Sequence, residues 1–352
     1  MTNPYAGIEN YQLWRRSVAR IETHLFDPVV NPKFRLDRAT KIATAGSCFA
    51  QHISRQLQRI GFHYFVPENG EGLPEDERTR RNFGVFSGRY GNLYTARQLL
   101  QLFEEVFEKR KPVEKAWLRE DGRYVDPYRP QIEPDGFKTI KAVEDERHKH
   151  LASIRAVFTE ADVLVFTLGL TEAWRSRDDG SVFPLAPGVV AGSFDPERHE
   201  FVNFGVADVE ADLLAFLEKL KDKNPSIKVL LTVSPVPLIA TYEDRNVLVS
   251  TTYSKSVLRV VADQVVSRFD WVDYFPSYEI ITGSYAGGLY YEADYREVNS
   301  RGVAHAMRCF VKNYTSDPSP VVRRATEPQA AAIEPTRRDI ICDEEAIDAI
   351  RA

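Results

Sequence analysis

The chain has 352 residues, of which 43% are hydrophobic and 28% are charged, and its formal net charge is −5 at pH 7. This composition provides enough apolar side chains for a large core and excludes a wholly disordered chain. The slightly negative net charge argues against nucleic acid or an anionic membrane as a partner, because both are negatively charged and would repel the protein.

Cysteine use and hydropathy narrow the class of protein further. Cys48, Cys309 and Cys342 are widely separated and lack the spacing of a disulfide framework or a zinc site. The first 18 residues lack the apolar stretch of a signal peptide, and no window of 18 uninterrupted apolar residues occurs. We therefore expect a cytoplasmic protein with no membrane span, no metal and no other cofactor.

Residues 1–39 are predicted to form an N-terminal helical arm, with a helix near residues 11–23. Strands and amphipathic helices alternate from Lys41 onward, and this alternation marks a domain at residues 40–314. Its first predicted elements are a strand at 42–45, a helix at 50–60, a short strand at 62–66 and a helix at 95–108.

Two insertions interrupt the alternation, at about residues 109–135 and 174–204. Each contains an Asp-Gly pair between extended arms, which is a strong hairpin signal. Aromatic side chains in them, such as Trp117 and Trp174, suit either stacking on sugar faces or anchoring of the hairpins. A helix at 141–158 and a buried strand at 161–170 lie between the insertions.

The alternation resumes after the second insertion and predicts an α/β fold with a mainly parallel, doubly wound sheet. The predicted elements here are a helix at 206–221, a strand at 227–235, a helix at 253–269, a strand at 271–277 and a helix at 300–314. Residues 315–352 are rich in proline and alanine and are predicted to be a flexible C-terminal tail whose last residues form a short docking helix.

The segment KIATAGSCFAQ places Ser47 between the first strand and its helix. A hydroxyl at the start of a helix lies near unpaired backbone N–H groups that stabilise an alkoxide and a developing oxyanion. Ser47 is therefore a candidate nucleophile, with helix capping as the alternative. Cys48 is a rival nucleophile or a small core residue.

Two further segments place polar residues after predicted strands or before helices. Gly91 and Asn92 precede a helix and suit close ligand approach and oxyanion donation, or a plain turn. Gly169, Thr171 and Glu172 follow the second long strand, where Thr171 suits hydrogen-bond donation and Glu172 suits orientation of a neighbour, or where all three form a turn.

A fourth segment, YYEADYREVNSRG, places Asp294 and Glu297 three residues apart before the last helix. These carboxylates are either part of a catalytic site or surface acids at a helix N-terminus, where negative charge is favourable.

Several strings in this order resemble the GSCFA-domain family over about residues 40–310. They are GSCFA itself, YGNLYTARQLL, TLGLTEAW, SPVPL, YSKSVLR and FPSYEI. That family is similar to the SGNH/GDSL hydrolases and to plant polysaccharide O-acetyltransferases. The resemblance implies a three-layer, flavodoxin-like α/β/α sandwich of the SGNH type, with serine ester chemistry on acyl groups carried by sugars.

The resemblance also implies roles for single residues. Ser47 corresponds to the nucleophile and Gly91 to the oxyanion glycine, while Thr171 stands where the hydrolases have an asparagine donor. In the last block the hydrolases have Asp-x-x-His, and this chain has Asp294 followed by Glu297 in the base position. Glutamate is a weaker base than histidine unless burial or a neighbouring carboxylate raises its pKa.

The expected function is thus that of a serine-dependent esterase or O-acyl(acetyl)transferase that acts on an acylated carbohydrate or polysaccharide precursor, with a carbohydrate or an acylated small molecule as the substrate. Ser47, Asp294 and Glu297 are the predicted catalytic residues. The alternative is a catalytically impaired relative that binds a glycan or assists assembly in a polysaccharide pathway. A protein partner is expected to bind through the tail.

Overall fold

A computed structural model describes residues 3–316 and 342–349 of the chain. Its strands are β1 (Ile42–Gly46), β2 (Trp117–Leu118), β3 (Tyr124–Val125), β4 (Val163–Leu168), β5 (Glu172–Ser176), β6 (Val182–Phe183), β7 (His199–Asn203), β8 (Lys228–Val233) and β9 (Val272–Tyr274). Its α-helices are α1 (Trp14–Ser17), α2 (Ala50–Arg59), α3 (Glu75–Arg80), α4 (Ala96–Phe107), α5 (Ile140–Glu160), α6 (Val206–Lys223), α7 (Val247–Arg268), α8 (Ser277–Thr282), α9 (Ser300–Tyr314) and α10 (Glu345–Ala349).

The central sheet is parallel and has the spatial order β1-β4-β8-β9. Tyr64 adds an isolated parallel bridge to Ile42 on β1. If this segment is counted as a strand and the strands of the sheet are numbered along the chain, their spatial order is 2-1-3-4-5. This is the flavodoxin-like order. The strand predicted at 62–66 is therefore reduced to one bridge at the edge of the sheet.

Helices cover both faces of this sheet, and successive side chains of β4 pack alternately into the cores on its two faces. Leu164, Phe166 and Leu168 pack into one core with side chains of α4, α5, α6 and α7. Val163 and Val165 pack into a second core with side chains of α2, α8 and α9. Burial of each large apolar side chain contributes about 1.5–3 kcal/mol, and the result is the predicted three-layer α/β/α sandwich.

The insertions form antiparallel structure outside the sandwich. β2 and β3 form one hairpin, and β6-β5-β7 form a three-stranded sheet. Gly122 and Gly180 sit in the predicted turns with φ of +78° and +71°, a conformation that glycine adopts without strain. Trp117 packs with Phe183 from the other insertion, so it anchors the hairpins to each other.

Three parts of the chain differ from expectation. The N-terminal arm contains short 3-10 turns and the four-residue α1 in place of one helix at 11–23. Helix α7 starts six residues earlier than predicted, with the Asn246 side chain accepting from the Leu248 N–H as its cap.

The third difference concerns the C-terminal tail. Residues 342–349, which we call the C-terminal strap, pack on the domain, and Cys342, Asp343 and Glu344 are buried. Helix α10 lies in the stretch predicted to form a short docking helix, and the side chains of the strap find partners in the sandwich that local sequence does not reveal. The predicted tail residues 317–341 lie outside the described residues.

Among the helices of the described residues, none combines the length and the apolar character that crossing a membrane requires.

Candidate active site

Ser47 lies directly after β1 and is 2% exposed. Its backbone N–H donates to the Thr167 carbonyl (3.0 Å), and its carbonyl accepts from the Ala50 N–H (2.9 Å) as α2 begins. The hydroxyl oxygen has no hydrogen-bond partner among the described residues. The side chain does not cap α2, so the capping alternative does not account for this serine.

Gly46 allows the chain to leave the sheet at this point. Its φ is +126°, and a Cβ at this position would lie 2.3 Å from the Thr167 carbonyl oxygen. Only glycine fits such a close approach of two backbones. The Gly46 carbonyl accepts from the Leu93 N–H (3.0 Å), which brings the loop before α4 next to Ser47.

Asn92 directs two N–H groups at one point. Its backbone N–H and its side-chain amide donate to the same oxygen of Asp343, Oδ2, at 3.2 and 3.0 Å. The neighbouring Gly91 has φ of +66°, and a Cβ there would lie 3.5 Å from this oxygen. Two converging donors are the geometry of an oxyanion site, and here the Asp343 carboxylate from the strap occupies it.

Lys255 on α7 lines the same small cavity as Ser47, together with Gly169 and Glu344. It is 2% exposed, and its Nζ donates to the Gly169 carbonyl oxygen (2.5 Å). Burial lowers its pKa to about 8, although the Glu344 carboxylate opposes this shift. A lysine whose pKa lies near neutrality can accept a proton as well as donate one.

The strap adds one thiol and two carboxylates to this cluster. The Sγ atoms of Cys342 and Cys48 are 3.4 Å apart, and Glu344 accepts from the Arg296 guanidinium (3.0 Å). The Cys342 contact and burial hold the pKa of the Cys48 thiol well above its ordinary value. Cys48 is therefore a neutral thiol near pH 7 and a poor nucleophile.

A groove of about 490 Å³ adjoins the small cavity and shares Leu170, Leu238 and Glu344 with it. Its walls are mainly apolar and aromatic, and they include Trp174, Phe201, Tyr242 and the strap residue Ile347. The Trp174 ring makes edge contacts with both Phe201 and Tyr242. This volume suits a ligand of one or two rings or an acyl group.

Glu172 and Thr171 make their side-chain hydrogen bonds beside this groove and do not line the cavity at Ser47. Glu172 accepts from the Thr241 hydroxyl (2.6 Å) and the Tyr242 N–H (3.2 Å), so it orients the loop that carries Tyr242. The Thr171 hydroxyl donates to Asn203 Oδ1 (2.7 Å). Since a hydroxyl has one proton to donate, the predicted oxyanion role of Thr171 is not supported.

Asp294 and Glu297 are both exposed and do not line the cavity at Ser47. Asp294 Oδ1 accepts from the backbone N–H groups of Arg296 and Glu297 at 3.0 and 3.1 Å, so it stabilises the loop itself. The residue of this loop that reaches the cluster is Arg296. The structure thus brings Ser47, Gly91, Asn92 and Gly169 together and leaves the two predicted acids outside.

Two buried histidines, His199 in the second insertion and His305 in α9, form hydrogen bonds away from the cavity at Ser47. His199 bonds Glu114 Oε1 through Nε2 (2.7 Å) and accepts from the Asp195 N–H. His305 bonds the Tyr290 hydroxyl and the Phe26 carbonyl. Neither histidine lines the cavity at Ser47.

Sequence reasoning does not single out Lys255 or the strap as parts of the site. The sequence pattern that could have identified Lys255 is its spacing. It lies three residues before Leu258 and seven before Ala262, both fully buried, and so falls on the apolar face of the helix. A charge on that apolar helix face requires a partner or a function. For the strap, the sequence predicts a short docking helix but not its partners, which lie 48, 251 and 294 positions away along the chain.

A family model described as the GSCFA family matches residues 41–310. No curated protein matches the chain.

Proposed function

The chain belongs to the GSCFA family, and we propose that it is a serine-dependent esterase or O-acyltransferase acting on an acylated carbohydrate. The observation that carries the proposal is the buried Ser47 hydroxyl. It has no hydrogen-bond partner among the described residues and shares its cavity with Lys255. The loop that presents the converging N–H groups of Asn92 is bonded to the preceding residue, Gly46.

In the proposed reaction Ser47 Oγ attacks the acyl carbonyl carbon while its proton passes to neutral Lys255 Nζ. The carbonyl oxygen becomes an oxyanion and accepts from the two Asn92 N–H groups, where Asp343 Oδ2 lies now. The intermediate then collapses, the bond between the acyl carbon and the sugar oxygen breaks, and this oxygen takes the proton from Lys255 and leaves as a hydroxyl. Water or a second sugar hydroxyl releases the acyl group from Ser47 by the same steps in reverse.

Lys255 is a better proton acceptor for this reaction than Glu297. It lines the cavity, whereas Glu297 is exposed. With a pKa of about 8, roughly one Lys255 in ten is neutral at pH 7. The bond to the Gly169 carbonyl fixes the amine without neutralising it.

The groove supports a substrate with a ring. Trp174 is half-buried with its ring in the groove wall, and Tyr242 is 66% exposed beside it. Aromatic faces at such positions stack on sugar rings. We propose that the sugar of the substrate lies along this wall with its acyl group directed at Ser47.

The first experiment uses a fluorophosphonate probe and p-nitrophenyl acetate hydrolysis. The full-length chain should be labelled on Ser47, and Ser47→Ala should lose labelling and at least about 10³-fold of the hydrolysis rate. Ser54→Ala is the matched control, since Ser54 is also buried and donates to the Gln51 and Val85 carbonyls. A folded protein that neither reacts with the probe nor hydrolyses the ester would contradict the proposal.

The second experiment tests the proton acceptor. The hydrolysis rate should rise with pH and level off above about pH 8, because Lys255 must be neutral to take the proton. Lys255→Arg keeps the charge and donors but does not titrate, and it should lose about 10²–10⁴-fold in rate. An unchanged pH profile in Lys255→Arg would assign the proton to another group.

A glycan-binding protein without turnover is the second candidate. The exposed position of Asp294 and Glu297 favours it, because the last block of the hydrolases supplies no acid or base to the cavity here. It predicts sugar binding that survives Ser47→Ala.

A cytoplasmic location is also a proposal, supported by the free thiols of Cys48, Cys309 and Cys342.

A further inference from the structure

We propose that the C-terminal strap is an intramolecular inhibitor of the Ser47 site, which must leave before an acyl substrate binds. The inference rests on the proposed function, because it takes Asn92 as the oxyanion donor. It identifies the occupant of the site as a segment of the same chain. The partner expected for the tail is thus the domain itself.

The first argument is the position of the Asp343 carboxylate. Its Oδ2 accepts both Asn92 N–H groups, at 3.2 and 3.0 Å, and it lies over Gly91. A carboxylate oxygen carries the partial negative charge that the oxyanion of a tetrahedral intermediate carries. Asp343 thus imitates an acyl product, and a substrate carbonyl has no access to these donors while the strap is bound.

The second argument is that the strap lines both cavities. Glu344 lines the small cavity at Ser47 and also the large groove, and Ile347 lines the groove beside Trp174. Ser47 and Asp343 are each 2% exposed. A sugar ester cannot reach the Ser47 hydroxyl in this state.

The third argument is that the strap has its own anchors. Glu344 accepts from Arg296 Nη2 at 3.0 Å, and Cys342 packs against Cys48 with the sulfur atoms 3.4 Å apart. Arg296 belongs to the loop between Asp294 and Glu297, which gives that loop a role in holding the strap. Because the strap is part of the same chain, its binding is intramolecular and does not depend on the protein concentration.

The fourth argument concerns reversibility. Burial raises the pKa of both the Asp343 and the Glu344 carboxyls. Their hydrogen bonds therefore offset only part of the cost of removing charge from water. A segment bound at such a cost is displaced more readily than an apolar element of the core.

The test measures strap release and site access separately in the full-length chain. N-ethylmaleimide alkylation of Cys342, followed by peptide mass mapping, reports strap release without any need for activity. Fluorophosphonate labelling of Ser47 reports access to the nucleophile. The variant is the double change Asp343→Ala with Glu344→Ala. The matched control is Glu345→Ala, the adjacent acid, whose side chain is 63% exposed and lies 3.9 Å from Arg296.

The double variant should accelerate both reactions about tenfold or more, since it removes two charge-assisted contacts. Glu345→Ala should stay within about twofold of the parent chain. The proposal is overturned if Cys342 of the native parent reacts as fast as in the denatured chain. It is also overturned if the double variant frees Cys342 but leaves Ser47 labelling unchanged or slower, because the strap would then not inhibit.

The two proposals fail differently in this experiment. If Ser47 stays unlabelled in every variant while Cys342 reactivity rises in the double variant, the serine ester function is wrong and the docked strap is real. If Ser47 is labelled equally fast in all chains, the serine is reactive and the inhibitory role is wrong.

Discussion

Ser47 precedes α2 and Ser54 lies within it; both are buried, and their hydroxyl groups differ in what they contact. Ser54 Oγ donates to the Gln51 and Val85 carbonyls at 2.9 and 3.0 Å. Ser47 Oγ has no partner among the described residues. A buried hydroxyl without a partner costs free energy, so its retention beside Lys255 and Asn92 is the strongest residue-level argument for chemistry at Ser47.

Gly169 sets the room available to Ser47. A Cβ at Gly169 would lie 3.0 Å from Ser47 Cβ and 3.1 Å from Tyr94 Cα. Gly169→Ala should therefore displace Ser47 and lower its fluorophosphonate labelling rate about tenfold or more, while circular dichroism shows a folded chain. Gly205→Ala is the control, because a Cβ there would meet nothing closer than 3.5 Å. Equal labelling of both variants would contradict the prediction.

The N-terminus of α4 carries the loop that presents Asn92. The Leu93 N–H donates to the Gly46 carbonyl, and the Tyr94 carbonyl accepts from the Gly169 N–H at 2.9 Å. The loop is thus fastened to the ends of β1 and β4. Thr95 then starts the helix with a capping box in which its hydroxyl accepts from the Gln98 N–H at 3.1 Å.

Loss of this cap should affect stability and not chemistry. Thr95 is 2% exposed, and Thr95→Ala should lower the free energy of unfolding by about 1–2 kcal/mol. Thr139→Ala is the matched control, since Thr139 caps α5 in the same way on an exposed turn, and it should cost no more than about 1 kcal/mol. Urea unfolding measures both. A loss of Ser47 labelling in folded Thr95→Ala would show that the cap also positions Asn92.

The parallel sheet explains how distant residues form one site. Strand β1 ends before Ser47 and strand β4 before Gly169, and β8 ends before Ser234, which lines the same cavity. The carboxyl ends of parallel strands meet at one edge, and this is where ligands bind in such folds. Helix α7 and the strap then add Lys255 and Asp343 from outside the sheet.

Stability should fall in mild acid because of His150. It is 1% exposed, and its Nδ1 lies 2.7 Å from Glu68 Oε2. Burial lowers its pKa to about 4, and Arg129 adds to the shift. Between pH 6.5 and about 4 the unfolded chain therefore binds the extra proton, and this contribution to the free energy of unfolding is lost as pH falls.

The size of this effect follows from the shift. At pH 5 the loss is about 2 kcal/mol relative to pH 7. His150→Gln removes the titrating group. Between pH 7 and pH 5 its free energy of unfolding, measured with urea, should therefore fall by about 2 kcal/mol less than that of the parent chain. An identical loss in both chains would show that His150 does not carry it.

Local patterns in the sequence determine much of this protein. Apolar runs bounded by glycine or proline predict β1, α2, β4 and β8. Helix α9 begins and ends at the predicted residues Ser300 and Tyr314. The Asp-Gly pairs predict both hairpin turns. The strings shared with the GSCFA family locate Ser47, Gly91 and Gly169. These features succeed because turn chemistry, periodicity and short motifs depend on neighbours in the chain.

Other features are decided only when the chain folds. Whether Glu297 or Lys255 lies in the cavity depends on which way a loop and a helix face, and the spacing Asp-x-x-Glu does not encode this. The strap is the clearest case, because the sequence predicts a short docking helix at the end of the tail but does not indicate where Cys342, Asp343 and Glu344 bind. Their partners Cys48, Asn92 and Arg296 come from three separate loops. The sequence by itself thus determined the sandwich and the position of Ser47, whereas tertiary packing decided which charges surround Ser47 and what closes its site.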